Sequence, residues 1–192
     1  MRKVVLAMMT TLNGRLDDPD AWVTDVGPDH FEEIARGYAT FDTVLVGRVT
    51  YEEMYEYWPT AGDGDDASDT QRAMAEMMNS YKKYVFSTGP ERKLEWDNSE
   101  PAIVANDDEL RGFVEELKAQ PGKDIHLSGG ARLAQSMVRL GLVDEYRLFA
   151  YPVVSAGARW FDGLDSAALE LLGTTTFESG VVALNYRSTT AD

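Results

Sequence analysis

Three strand-like runs in this chain end directly in residues suited to holding phosphate. Thr43–Val46 is followed by Gly47-Arg48-Val49-Thr50, Lys83–Phe86 by Ser87-Thr88, and Ile125–Leu127 by Ser128-Gly129-Gly130. Glycine has no Cβ, so a tight turn is allowed and a ligand can approach the backbone. Arginine offers a planar cationic fork that matches phosphate oxygens. A helix that starts at such a point adds free N–H groups and the positive end of its dipole. One glycine pair is ordinary in an αβ turn, but three phosphate-friendly strand ends together point to a nucleotide. Neither G-x-G-x-x-G nor G-x-x-x-x-G-K-[ST] occurs, so the cradle is of another type.

The elements that must position these residues follow from hydrophobic period. Alternation or β-branched runs predict strands at Val4–Met9, Thr43–Val46, Lys83–Ser87, Pro101–Ala105, Asp124–Leu127 and Glu145–Val154. Helical spacing predicts helices at Pro28–Thr40, Thr50–Tyr57, Asp69–Tyr81, Asp107–Ala119 and Arg132–Leu140, with Thr50 and Glu53 in capping-box positions. The final segment reads as two strands joined at Ser179-Gly180, a hairpin. Strand–helix alternation of this kind predicts an α/β fold with a mostly parallel sheet covered on both faces and an antiparallel C-terminal hairpin. In such sheets the ligand lies outside the carboxyl ends of the strands, where the strand order reverses. No linker divides the 192 residues, which reads as a single domain with an acidic mobile loop at about 60–69. The apolar start of the chain reads as a buried first strand, not as a leader.

A formal charge of −15, from 33 acidic against 18 basic residues, argues against nucleic acid and against an anionic membrane surface. No cysteine is present, which excludes disulfides, thiol nucleophiles and cysteine zinc sites and suits a cytoplasmic protein. The two histidines fit no metal pattern; His30 reads as exposed and His126 as a partly buried strand residue. Trp22, Tyr51, Met54 and Trp58 are candidates for the wall of a pocket holding a planar heterocycle. No proton donor is assigned: Asp17, Asp18 and Asp20 read as solvated turn residues and Asp144-Glu145 as structural.

The segment "DTVLVGRVTYEEM" resembles the strand–Gly-Arg-x-Thr-aromatic-Glu–helix signature of the dihydrofolate reductase superfamily. "HLSGGARLAQSMVRLGLVDEYRLFAYPVV" is more similar still to the reductase domain of the bifunctional riboflavin-biosynthesis deaminase-reductase and its stand-alone relatives. The similarity runs from Val4 to about Tyr186. It implies the dihydrofolate-reductase-like three-layer fold, a homodimer and NADPH as cofactor. By the same resemblance, Gly47, Arg48, Val49 and Thr50 hold the pyrophosphate and adenosine phosphate, and Ser87 and Thr88 lie on the adenosine side. Gly129, Gly130, Ala131, Arg132 and Leu133 cradle the pyrophosphate, while Ala7 and the Asn13-Gly14 turn flank the nicotinamide and the substrate. The family commonly has Ser-Leu-Asp-Gly where this chain has Thr11-Leu12-Asn13-Gly14, so the carboxylate is missing there. The expected activity is NADPH-dependent reduction of a small heterocycle, pterin-like or a riboflavin-precursor-like pyrimidine. Folate is not favoured, because Glu32 and Glu33 fall on the flank of the first helix's apolar face. The alternative is a non-catalytic NADP(H)-binding sensor or regulatory protein.

Overall fold

The computed structural model describes residues 1–23, 26–89 and 93–189. In chain order the elements are β1 (Val4–Thr11), α1 (Pro28–Tyr38), β2 (Phe41–Gly47), α2 (Arg48–Tyr57), α3 (Asp69–Ser80), β3 (Lys82–Ser87) and β4 (Ser99–Ile103). They continue with α4 (Asp107–Ala119), β5 (Asp124–Gly129), α5 (Ala131–Arg139), β6 (Glu145–Tyr151), β7 (Leu169–Thr176) and β8 (Val182–Ser188), with a 3-10 turn at Pro19–Ala21.

One eight-stranded sheet carries them in the order β4-β3-β2-β5-β1-β6-β8-β7. Strands β1 to β6 pair in parallel, and β8 joins β6 and β7 antiparallel. The chain moves outward from β1 to β4 and then returns to insert β5 between β2 and β1. That reversal places a crevice at the carboxyl end of β5.

Two apolar layers fix the helices. Leu110, Val114 and Leu117 of α4 and Ala134, Met137 and Val138 of α5 pack with Leu6, Leu45 and Leu127 on one face. Tyr51 of α2 and Met78 of α3 pack with Val5, Val44 and Val46 on the other, joined by Tyr38 of α1. A third cluster, Trp22, Tyr151, Phe177, Val181 and Ala183, closes the β6–β8 side.

Helix starts differ from the sequence reading in one informative place. Helix α2 begins at Arg48, with Gly47 as its cap in extended conformation, so Thr50 is its third residue and no capping box forms. The histidine expectations are also corrected, since both side chains are 0 % exposed. His30 lies on the inner face of α1 among Phe149, Tyr151 and Phe177. Its helix packs against the third cluster, which a helical wheel of α1 alone does not reveal. The 60–69 segment is tied down by Arg72, whose guanidinium donates to the carbonyls of Gly62, Gly64 and Ala67.

Candidate functional site

Two helix N-termini open side by side at the crevice. Helices α3 and α4 are capped by their own side chains, Ser68 accepting from the Gln71 N–H and Asn106 from the Glu109 N–H. Helices α2 and α5 have glycine caps, Gly47 and Gly130, and no side-chain cap bond. Their first-turn N–H groups therefore remain available to a ligand. A Cβ placed on Gly47 would stand 3.7 Å from the Gly130 nitrogen and 3.8 Å from the Gly129 oxygen. The two glycine turns thus abut, and two helix dipoles converge on one spot suited to a doubly charged pyrophosphate. Gly129 has φ +89°, a left-handed backbone that favours glycine, and Gly129-Gly130 is a cis peptide.

Arg48 and Arg132 stand in the first turns of the two helices, both exposed; Arg48 makes one exposed contact, 3.2 Å to Glu52. Val49 is also exposed in the first turn of α2. The Thr50 hydroxyl turns toward Gly130, 2.9 Å from where its Cβ would be. Ala131 and Leu133 are half-buried and pack α5 onto the core. On the neighbouring strand end, Ser87 Oγ accepts from the Gly89 N–H at 3.0 Å, and Thr88 is exposed.

A cavity of about 500 Å³ lies alongside, between α1 and the sheet. Its floor follows from strand register. Ala7 pairs with Arg147 and Arg147 with Asn185, so the three side chains form one row; Ser128 lies one step past the last β1–β5 pair, Leu6–Leu127. Met9, Phe149 and Ala183 form the next row. Ile34, Gly37 and Tyr38 of α1 provide the roof. Glu33 also borders the cavity, where it pairs with Arg36.

The wall of the cavity differs from the aromatic one expected. Trp22 is buried in packing, its indole N–H donating to the Asp17 carbonyl at 3.0 Å and its ring edge-on to Tyr151. Tyr51 is buried under α2, its hydroxyl accepting from the Trp96 N–H at 2.9 Å. Trp58 is half-buried against the same cluster. Asn13 spends its carboxamide on Thr11 and Ser155. Gly14 has φ +83°, and the Phe161 ring occupies the space where a Cβ would be, at 2.3 Å. Large aromatic side chains next to a sheet gain more from burial than from lining a cleft, and Trp22, Tyr51 and Trp58, like Met54, all pack against the buried clusters.

Local pattern did not single out Arg147 or Asn185, and it gave His126 only as a partly buried strand residue. His126 Nε2 donates to the Ala7 carbonyl at 3.0 Å, since a carbonyl can only accept. This bond holds Ala7 where β1 and β5 stop pairing. The ring stacks on Phe41 with centroids 5.0 Å apart and meets Tyr38 edge-on. Burial drives its pKa down to about 4; the Ala7 bond opposes this and the Arg147 charge reinforces it. Glu145, next to Arg147, is buried, which alone would raise its carboxyl, yet bonds from Lys3 and Arg147 hold it below the usual range.

Comparison with known proteins bears on the family and the fold. The model of the family described as RibD C-terminal domain matches residues 2–183. The uncharacterized protein YyaP of Bacillus subtilis is 36% identical over 193 residues, covering 96% of this chain and 94% of that protein. A putative riboflavin biosynthesis protein from Shewanella sp. PV-4 superposes with a TM-score of 0.67 at 17% identity, covering 98% of this chain and 99% of the other. Dihydrofolate reductase from Enterococcus faecalis, solved in complex with NADP(H), superposes with a TM-score of 0.62 at 12% identity, covering 97% and 96%. The fold is dihydrofolate-reductase-like: a mostly parallel sheet between two helical layers, with antiparallel C-terminal strands.

Proposed function

Because the chain belongs to the RibD C-terminal domain family, we propose that it is an NADPH-dependent reductase acting on a small planar heterocycle, pterin-like or a riboflavin-precursor-like pyrimidine. The observation that carries this reading is the pair of glycine-capped helix N-termini meeting beside the cavity. The N–H groups at Gly47–Thr50 and Gly129–Leu133 would hold the pyrophosphate, Arg48 and Arg132 the adenosine phosphate, and Ser87 and Thr88 the adenosine side. Ala7 and Gly14 would flank the nicotinamide. When bound, the cofactor supplies the hydride. The chain's own residues supply placement: the Ala7 row carries the acceptor, α1 covers it, and water is kept off the floor by Met9 and Phe149. Among the described lining residues the one carboxylate, Glu33, is tied to Arg36, so no free acid stands over the floor.

Titration with NADPH and NADH, followed by energy transfer from the tryptophans, tests the reading. Wild type should prefer NADPH, and Arg48→Ala should weaken NADPH roughly 10- to 100-fold, as expected for a lost charge-assisted bond to phosphate, leaving NADH unchanged. Binding of neither nucleotide would overturn the proposal. Binding of both redox forms with no acceptor ever reduced would instead favour a sensor.

Gly37 provides a second test. A Cβ there meets nothing within 4 Å, so alanine fits and should raise stability by up to about 1 kcal/mol, or about 2–4 °C in Tm. Gly37→Leu fills the roof of the cavity, and should retain NADPH binding while acceptor turnover falls. Equal turnover in the leucine variant would remove the cavity from the site.

A cytoplasmic homodimer belongs to the same proposal. It is supported by the absence of cysteine and by Leu171 and Leu172, 55% and 47% exposed on the edge strand β7.

A further inference from the structure

The chain has no cysteine and eight methionines, so thioethers are the only sulfur an oxidant can attack. Met74, Met78 and Met137 are at most 2% exposed, and Met1 lies 95% exposed at the chain start. Met77 is half-buried against the α2–α3 layer. The other three gather at the crevice. A donor bonded to a thioether draws on one of its sulfur lone pairs and makes that sulfur less nucleophilic. Met9 Sδ accepts from the Tyr151 hydroxyl at 3.7 Å, and Met54 Sδ from the Ser128 hydroxyl at 3.6 Å. Met8 is half-buried and lines the cavity, and among the described residues no hydrogen bond reaches its sulfur.

Its surroundings give that sulfur a consequence. Strands β1 and β5 stop pairing at Leu6–Leu127, so beyond that step the Met8 side chain borders both the α4–α5 layer and the cavity. Its tip bears on the glycine turn that leads into α5. A Cβ built on Gly129 would stand 2.8 Å from Met8 Cε and 3.0 Å from Met8 Sδ. An oxygen added to the sulfur on that side meets the same crowding. Turned the other way, a strongly polar S–O group enters an apolar layer, where burial without a donor is costly. In either case the tip leaves its place beside Gly129, and the turn loses its packing.

We propose that Met8 is an oxidative modification site whose sulfoxide turns off cofactor binding. Hydrogen peroxide transfers one oxygen to the thioether: the O–O bond breaks, an S–O bond forms, sulfur gives up two electrons and water leaves. The sulfoxide moves the Met8 tip off the Gly129 turn, and the start of α5 is no longer held against that of α2. A dithiol-dependent sulfoxide reductase reverses the step, the thioether returning as the dithiol becomes a disulfide and water leaves. An NADPH-consuming reaction is thereby stopped while peroxide is present. The inference rests on the reductase reading only in taking NADPH as what this turn helps to hold.

The test treats the full chain with hydrogen peroxide and reads the oxygen added at each methionine by peptide mass spectrometry. NADPH affinity, Tm and amide hydrogen exchange over 128–133 are measured before and after, on wild type, Met8→Leu and Met8→Gln. In wild type, Met1 and Met8 should take up oxygen before Met9, Met54 and the three buried methionines. NADPH affinity should fall in step with Met8 sulfoxide by about tenfold or more, the scale of one lost charge-assisted bond. Exchange over 128–133 should quicken while the chain stays folded. Met8→Leu, similar in volume and inert to peroxide, should hold its own starting affinity through the same treatment. Met8→Gln, which carries a polar oxygen near the sulfoxide's position, should start weakened without peroxide. The two methionine sulfoxide reductases, one for each epimer, with dithiothreitol should restore wild type. Full NADPH affinity with Met8 oxidised, Met8 intact after Met9 and Met54 have reacted, or an equal loss in Met8→Leu would each overturn the inference. So would a loss that persists once the Met8 oxygen is removed. If untreated wild type binds no NADPH, the reductase reading fails, while quickened exchange on Met8 oxidation still supports the modification site.

Discussion

Gly130→Val is expected to abolish measurable NADPH binding, a loss of 100-fold or more, while the chain still folds. A Cβ at this position would lie 2.9 Å from Thr50 Oγ1, and the two branches of valine would extend from the turn that caps α5, over the N–H groups left free there. Gly130 has a negative φ, −51°, so no left-handed strain arises, and the crowding against Thr50 costs about 1–3 kcal/mol. Adding Thr50→Ala removes the hydroxyl in the way and should recover stability, but not cofactor affinity. Gly129→Ala acts differently. At φ +89° an L-residue costs about 1–2 kcal/mol in backbone strain, and the end of Met8 must move aside. Thermal melts and NADPH titrations of the three proteins separate the two effects. Unaltered NADPH binding by Gly130→Val would show that the abutting helix N-termini are not the phosphate cradle.

Acid should destabilise the fold through His126 by up to about 3 kcal/mol. Its pKa is near 4 in the folded chain against an ordinary 6.5, so between those values the unfolded chain binds the extra proton. Stability from this residue is therefore complete above about pH 6.5 and is lost as pH falls toward 4. The groups around the ring explain the direction: Phe41 and Tyr38 exclude water, Arg147 adds a like charge, and the Ala7 carbonyl offers one bond against both. Denaturant unfolding at intervals from pH 4 to 8, on wild type and His126→Phe, measures the difference. The variant should start about 1 kcal/mol lower at pH 7, having left the Ala7 carbonyl unpaired, and then fall less steeply. Parallel pH profiles for the two proteins would exclude His126 as the source of the acid sensitivity. Since His126 positions Ala7 on the cavity floor, the same pH window should weaken ligand binding before the chain unfolds.

Much of this architecture is written locally in the chain. Leu110, Phe113, Val114 and Leu117 recur at helical spacing and form the inner face of α4, with Asn106 as its cap. Glycine at 47, 129 and 130 announces turns because only the residue's own backbone freedom is at issue, and those turns lead into the two helix starts that abut. Such signals need a window of a few residues, which is why strand ends, helix starts and the phosphate-friendly motifs were legible from the sequence alone. The cavity was not. Ala7, Arg147 and Asn185 lie in one row only because β1 pairs with β6 and β6 with β8, across separations that no local period encodes. A slip of one residue in either pairing would turn Asn185 to the opposite face. Burial was decided at the same level: Trp22, Tyr51 and His30 lie in packed layers because distant segments close over them. Backbone chemistry determined where a nucleotide could be held, while the register of the assembled sheet decided which side chains face whatever lies beside it.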